Sequence, residues 1–357
     1  MEKAHHFNGS DYKRESDKKN TKRLYELLQE LPDFCTQFFV GIESSTSSST
    51  RLNYAYDLRI FFNYLVHETD LFLDKGVKDL EVDDLKKISP TRIEQFISYT
   101  TFYENDEGQE RDNSYNGKER KLSSLRTFFH YFQRKEILEK NPAALVDFPK
   151  RPQKAIIRLE PNEVAKLIKL TENGEGLSEH QKKIHQKTQL RDTALITLLL
   201  GTGIRISECI GLNISDFDFD DKSFRIIRKG GNSVILYFGD EIDQALRRYL
   251  EQRRKIKPQK GHEDALFLSL QNRRLDVRSA QNLVKKYSKI AAPLKNISPH
   301  KLRSTYGTEL YRQTGDIYMV ADVLGHSDIN TTKKHYADQS VENRRAAARV
   351  VKLREDT

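Results

Sequence analysis

The chain lacks the features that mark extracellular scaffolds and membrane spans. Two cysteines in 357 residues give no disulfide framework. No apolar run approaches the roughly 20 residues a bilayer span needs. The opening residues, MEKAHHFNGSDYKRESDKKN, are charged and contain no apolar h-region, so a cytoplasmic place is expected. No repeat recurs at solenoid periods. Also absent are a P-loop, a GxGxxG after a strand, a GxSxG elbow and a CxxC pair, which leaves ATP hydrolysis, dinucleotide chemistry and structural zinc without support. Two tempting clusters are set aside. His5 and His6 lie in a charged arm, and Asp216 to Asp221 reads as a solvated turn.

What is present is length and positive charge. A chain of 357 residues is long enough for two domains, each with its own core. The composition is 37% hydrophobic and 32% charged, with a mean hydropathy of −0.72. The net charge of +9 is unevenly placed: residues 1–154 hold 25 Lys and Arg against 26 Asp and Glu, whereas residues 155–357 hold 36 against 26. A basic second half suits either a solvated surface or a polyanionic partner.

Residues 1–23 show no hydrophobic period and are expected to be a frayed arm. From 24 to 148 apolar residues recur at helical spacing, as in Leu24, Leu27, Leu28 and Leu31, then Leu58, Phe61, Phe62 and Leu65, then Ile93, Phe96 and Ile97 behind Pro90, and finally Leu122, Leu125, Phe128, Phe129 and Phe132. This half reads as a helical bundle whose aromatic stripes form its core, with a polar insertion near 103–121. Proline and positive charge over 149–156, including Lys150, Arg151 and Lys154, mark a basic linker able to follow a phosphate backbone. Residues 157–357 form the second domain. Helices are expected near 160–171 and 190–200, a β-hairpin between Phe217 and Phe238 with Arg228 and Lys229 at its tip, and further helices near 240–255, 278–291, 301–313, 317–324 and 340–352. The fold class is mainly α with a small β-sheet.

Four short signals then follow in order. Gly201-Thr202-Gly203-Ile204-Arg205-Ile206-Ser207-Glu208 turns out of a buried helix, with Glu208 one helical turn beyond Arg205 and able to fix it. Lys229 sits on a hairpin turn, where a long flexible ammonium can reach over a ligand. His300 and Arg303 stand three apart in Pro299-His300-Lys301-Leu302-Arg303 and share a helix face. Leu324-Gly325-His326 is followed ten residues later by Tyr336, the last tyrosine of the chain.

In this order the signals resemble the tyrosine recombinase (phage integrase) family, and the chain looks Xer-like. The resemblance covers the second half closely and the helical first half more loosely; the interval from His326 to Tyr336 is one residue longer than in the commonest members. It implies an N-terminal helical core-binding (SAM-like) domain and a mixed α/β catalytic domain. It further implies that Arg205, His300, Arg303 and His326 surround a scissile phosphate, that Tyr336 attacks phosphorus, that Lys229 protonates the leaving 5′-hydroxyl and that Glu208 supports the site. Arg228 is adjacent, so hairpin register decides between it and Lys229 as the general acid, with Lys229 preferred for its place before Gly230-Gly231.

The chemistry fits those residue types. Two guanidiniums give planar, multidentate bonds to the equatorial oxygens of a reacting phosphodiester, where a metal would otherwise be needed, so no cofactor and no metal are called for. A phenol near pKa 10 needs a basic or cationic pocket to attack at neutral pH. A covalent phosphotyrosine would conserve the bond energy, which agrees with the missing nucleotide motifs. The expected partner is double-stranded DNA with paired inverted half-sites, bound by a homotetramer that is monomeric or dimeric off DNA. Lys118, Arg120, Lys121 and Arg126 of the first domain are expected to contact DNA, with the linker and Arg228. An alanine-rich terminal helix over 340–352 would dock on its own domain or on a neighbour. Type IB topoisomerase-like relaxation and a non-catalytic DNA-binding regulator are the alternative functions.

Overall fold

In the computed structural model, residues 10–104, 109–149, 157–228 and 231–325 are described. They divide into a unit of residues 13–154 and a unit of residues 155–357, to which residues 1–12 are also assigned. No described helix is long and apolar enough to cross a membrane.

The first unit is built from α1 (Ser10–Leu28) after its first three residues, α2 (Phe34–Gly41), α3 (Ser48–His67), α4 (Pro90–Tyr99) and α5 (Tyr115–Arg134), with a two-stranded hairpin of β1 (Phe102–Glu104) and β2 (Glu110–Asp112). Helix starts follow local chemistry. The Ser47 hydroxyl accepts the Thr50 N–H at 3.1 Å to open α3. Ser89 accepts the Arg92 N–H at 3.2 Å, with Pro90 in the first turn of α4. The apolar stripes meet in an aromatic core in which Phe34, Phe38, Phe62, Phe129 and Phe132 all pack on Phe128. Most of these contacts are edge-on, such as Phe38 to Phe128 at 5.1 Å and 76°, an arrangement worth about 0.5–1.5 kcal/mol per pair beyond burial.

Two expectations change here. The arm expected over 1–23 is helical from Ser10 onward. Polar tethers hold it where an apolar stripe does not: Asn20 donates to the Ser48 hydroxyl at 3.0 Å, and Arg23 Nε donates to the Tyr56 hydroxyl at 3.1 Å. The insertion expected over 103–121 resolves into the β1–β2 hairpin and the first turns of α5, because that helix already begins at Tyr115.

The second unit contains α6 (Pro161–Asn173), α7 (Glu179–Thr202), α8 (Ile206–Gly211), β3 (Phe217–Asp218), β4 (Ser223–Ile227), β5 (Ser233–Tyr237), α9 (Asp240–Arg253), α10 (Val277–Ala291), α11 (Pro299–Thr314) and α12 (Ile317–Leu324). Helix α7 packs on α6, α9 and α11. The sheet is antiparallel in the order β3-β4-β5, pairing Phe224 with Leu236 and Ile226 with Val234, as the alternation in the sequence leads one to expect. Part of the acidic run forms β3. The remainder is a turn in which Asp218 Oδ1 accepts the N–H groups of Asp220 and Asp221, each at 3.0 Å.

Helix α7 begins eleven residues before the helix expected near 190–200. Its stretch up to Asp192 is mostly polar, yet it buries His185, Thr188 and Asp192. Tyr287 donates to Asp192 at 3.0 Å and lies 2.8 Å from His185 Nδ1, so the phenol's single proton goes to the carboxylate and Nδ1–H donates to the phenol oxygen. That leaves the buried Nε2 as a lone pair without a hydrogen-bond partner. Burial above all, then Lys286, holds the His185 pKa below its ordinary value against the pull of Asp192.

Candidate active site

The site grows from three helix ends. Helix α7 stops at Gly203, left-handed at φ 63°, where a Cβ would stand 2.9 Å from Leu324 Cδ2 and against the Tyr306 ring. Arg205 then caps α8. Its N–H donates to Glu208 Oε2 at 2.7 Å and its Nη1 to Oε1 at 2.9 Å, so one carboxylate fixes both the backbone and the guanidinium. The other guanidinium nitrogen of Arg205 donates to the Gly325 carbonyl at 3.3 Å.

Pro299 opens α11, with His300 exposed beside it. One turn on, Arg303 is only 5% exposed. Its Nη1 donates to the Gly203 carbonyl at 2.7 Å and its Nη2 to the Leu324 carbonyl. The two arginines named by the sequence therefore converge on neighbouring carbonyls, those of Leu324 and Gly325, at the end of α12. These are carbonyls that an α-helix leaves without intrahelical partners, and they carry its negative dipole end.

A third guanidinium joins them. Arg228 Nη1 donates to Asp322 O at 2.9 Å and Nη2 to Val323 O at 2.7 Å. Sequence reading placed Arg228 at the hairpin tip but had no means of finding this attachment.

The other candidates fall in different places. Lys229, His326 and Tyr336 lie outside the described residues, as do Lys150, Arg151, Lys154 and the helix expected over 340–352. In the first unit, Lys118 donates to Thr101 Oγ1 at 2.6 Å. Arg120 pairs with Asp57. Lys121 is 2% exposed, with its ammonium on Asn113 Oδ1 at 2.9 Å. Arg126 donates to the Ala143 and Val146 carbonyls and stacks on Phe148 at 4.0 Å. These four side chains are engaged within their own unit, and Lys121 offers its charge no open face.

Residues 158–343 match the model of the phage integrase family. The chain belongs to that family. Among curated relatives, the tyrosine recombinase XerC of Caldanaerobacter subterraneus subsp. tengcongensis is 32% identical over 298 residues, covering 80% of this chain and 77% of its own length. The tyrosine recombinase XerD of Oceanobacillus iheyensis is 29% identical over 297 residues, covering 83% and 89%. Among solved structures, the XerH recombinase bound to a palindromic difH substrate in a post-cleavage complex aligns with a TM-score of 0.62 at 22% identity, covering 92% of this chain and 88% of that one. The Tn1549 transposon integrase with circular intermediate DNA aligns at 0.60 and 21%, covering 85% and 94%. These two likenesses establish the integrase fold. The chain is a Xer-like, tyrosine-type site-specific recombinase.

Proposed function

We propose that this recombinase cuts and rejoins duplex DNA at paired inverted half-sites through a 3′-phosphotyrosyl intermediate on Tyr336, acting as a tetramer on DNA. One observation supports this most strongly: Arg205 and Arg303, far apart in sequence, aim at adjacent carbonyls of one helix end. A carbonyl is a neutral acceptor that orients a guanidinium without cancelling its charge. A scissile phosphate, carrying full negative charge, can replace it and accept the same donors. Glu208 holds Arg205 in place during the exchange.

The stabilisation of charge on the phosphate oxygens belongs to Arg205 and Arg303, with His300 and His326 beside them. Tyr336 supplies the attacking oxygen and Lys229 the proton for the departing 5′-oxygen. Relaxation without exchange and a purely regulatory role are not favoured, since the relatives are named recombinases. Resolution of chromosome dimers and integration or excision of a mobile element both fit this chemistry, and the identity of the target site separates them.

The test uses a duplex selected by the wild-type protein from a randomised pool, nicked so that cleavage traps the covalent complex. Wild type should give a denaturation-resistant protein–DNA adduct, and Tyr336→Phe none. An adduct that persists in Tyr336→Phe overturns the nucleophile assignment. Plasmid relaxation by wild type with no joining of two selected sites would instead establish topoisomerase action.

A further inference from the structure

Of the three arginines at the end of α12, Arg228 belongs to none of the motifs that identified the site. Its main chain closes the β4–β5 turn, donating to Asn232 O at 2.9 Å and accepting the Gly231 N–H at 3.0 Å. Its side chain leaves the hairpin to take the carbonyls of Asp322 and Val323. One residue thus fastens the sheet's turn to the end of a helix 94 and 95 residues further on.

Gly325 makes the attachment possible. It ends α12 in the left-handed region at φ 63°, which alone favours glycine but admits asparagine. The stricter condition is steric: a Cβ at Gly325 would stand 2.5 Å from Arg228 Cζ and 2.8 Å from its Cδ. No side chain fits there while Arg228 is docked. Burial first, and Arg205 with it, lowers the Arg228 pKa, while Glu208 and Asp322 raise it, so this guanidinium lies within electrostatic reach of the phosphate-binding pair. A guanidinium stays protonated near neutrality, which suits holding and not donating a proton.

We propose that Arg228 is a positioning residue for strand cleavage: by fastening the β4–β5 turn to the end of α12, it sets the reach of its chain neighbour Lys229 toward the phosphate held by Arg205 and Arg303. The inference rests on the proposed function, with Lys229 as proton donor. In that step the Tyr336 oxygen forms a bond to phosphorus and the bond from phosphorus to the 5′-oxygen breaks. The departing oxygen takes a proton from the Lys229 ammonium, leaving an amine, and the phenol's own proton passes to an imidazole of the site.

The test replaces the bridging 5′-oxygen of the selected nicked duplex with sulfur. A thiolate leaves without a proton, since a thiol has a pKa near 8.5. At saturating DNA, Arg228→Ala should slow cleavage of the ordinary duplex by about 10–100-fold, less than or equal to the roughly 10²–10⁴-fold lost when a general acid is removed outright. With the sulfur duplex it should return to near the wild-type rate, as should Lys229→Ala, and Arg228→Lys should recover part of the loss on the ordinary duplex. Arg205→Ala should remain slow on both duplexes.

Wild-type speed of Arg228→Ala on the ordinary duplex overturns the inference. Slowness on both duplexes also overturns it, by assigning Arg228 to phosphate binding or to the fold. Failure of sulfur to rescue Lys229→Ala removes the donor, and the inference with it. If wild type forms no adduct at all, the proposed function is what fails. A measurement without DNA tests the docking itself: Gly325→Ala should lower Tm more in wild type than in Arg228→Ala, and equal shifts in both backgrounds overturn the steric argument.

Discussion

The two units hold their inward-facing cations differently. In residues 13–154 the partners are mostly carboxylates: Arg120 and Lys121 flank Asp57, and Lys75 and Lys87 meet Asp84 at 2.6 and 2.8 Å. In residues 155–357 Arg191, Lys286, Lys295 and Arg205 also meet carboxylates, but a further set of guanidiniums is held by main-chain carbonyls. Besides Arg228 and Arg303 on α12, Arg253 donates to Ala265 O at 3.1 Å and Glu263 O at 2.8 Å, and Arg274 to Ile210 O at 2.9 Å and Leu212 O at 2.7 Å. Arg51 and Arg126 are the first unit's exceptions, each reaching two carbonyls. A carboxylate cancels a guanidinium's charge, whereas a carbonyl directs it and leaves the field intact. The basic second half thus adds to its ion pairs a set of guanidiniums whose charge carbonyls direct without cancelling, as the near-neutral first half does at Arg126.

Removing a ring from the first unit tests whether its stability resides in aromatic packing and not in these ion pairs. Phe128→Ala should cost that unit about 3–5 kcal/mol, read by denaturant unfolding, with the second unit's transition unmoved. A loss below about 1 kcal/mol would return the weight to the ion pairs. In the second unit, Arg303→Ala should slow adduct formation by about 10²–10³-fold, the usual cost of deleting one donor to a reacting oxyanion. It should also lower stability by about 1–3 kcal/mol, because the Gly203 and Leu324 carbonyls lose their buried partner.

Acid should separate the units in sequence. His185 has a lowered pKa in the fold, so the unfolded chain binds the extra proton first. Stability of the second unit is complete above the ordinary histidine value of about 6.5 and declines as pH falls below it. Asp84 shows the carboxylate case. Burial pushes its pKa up, but hydrogen bonds from Lys75, Lys87 and the Glu81 N–H outweigh that and bring it to about 2. Its contribution is complete above an unfolded value of about 3.9 and is lost as pH falls toward 2. Unit-resolved hydrogen exchange at pH 7, 5.5 and 3 should show the region around Tyr287 opening first, and His185→Phe should remove the early phase. The smallest effect belongs to the surface pair of Arg59 and Glu30, 2.8 Å apart, whose removal should change stability by less than about 1 kcal/mol.

These contrasts also explain what could be read from the sequence. The hairpin was legible because Phe224 and Ile226 alternate with polar neighbours, and the Phe128 stripe because its period is helical. The Arg205 turn was legible because two glycines and a carboxylate at capping distance leave few other conformations. The polar stretch of α7 up to Asp192 was not, since its buried residues are His185 and Asp192, whose partners Tyr287 and Lys286 come from α10, and Thr188, which donates to Asp192. The docking of Arg228 was hidden for a related reason: its acceptors are carbonyls, which every residue carries, so no letter of the sequence marks them. Helix α1 before Leu24 carries no apolar period to announce it, because hydroxyl, amide and guanidinium groups tether it.

The end of α12 acts as a ruler for the recombinase's cations. Its successive carbonyls sit at intervals fixed by helical geometry, and three side chains from separate stretches of chain are indexed to those marks. A single residue inserted between Ile317 and Asp322 would rotate the ruler by about 100° and displace all three readings at once. An equal insertion just before the helix, at the exposed turn around Gly315, can be taken up by the turn and leaves the face of α12 unrotated. Length variation is thus expected to be tolerated on one side of Ile317 and refused on the other.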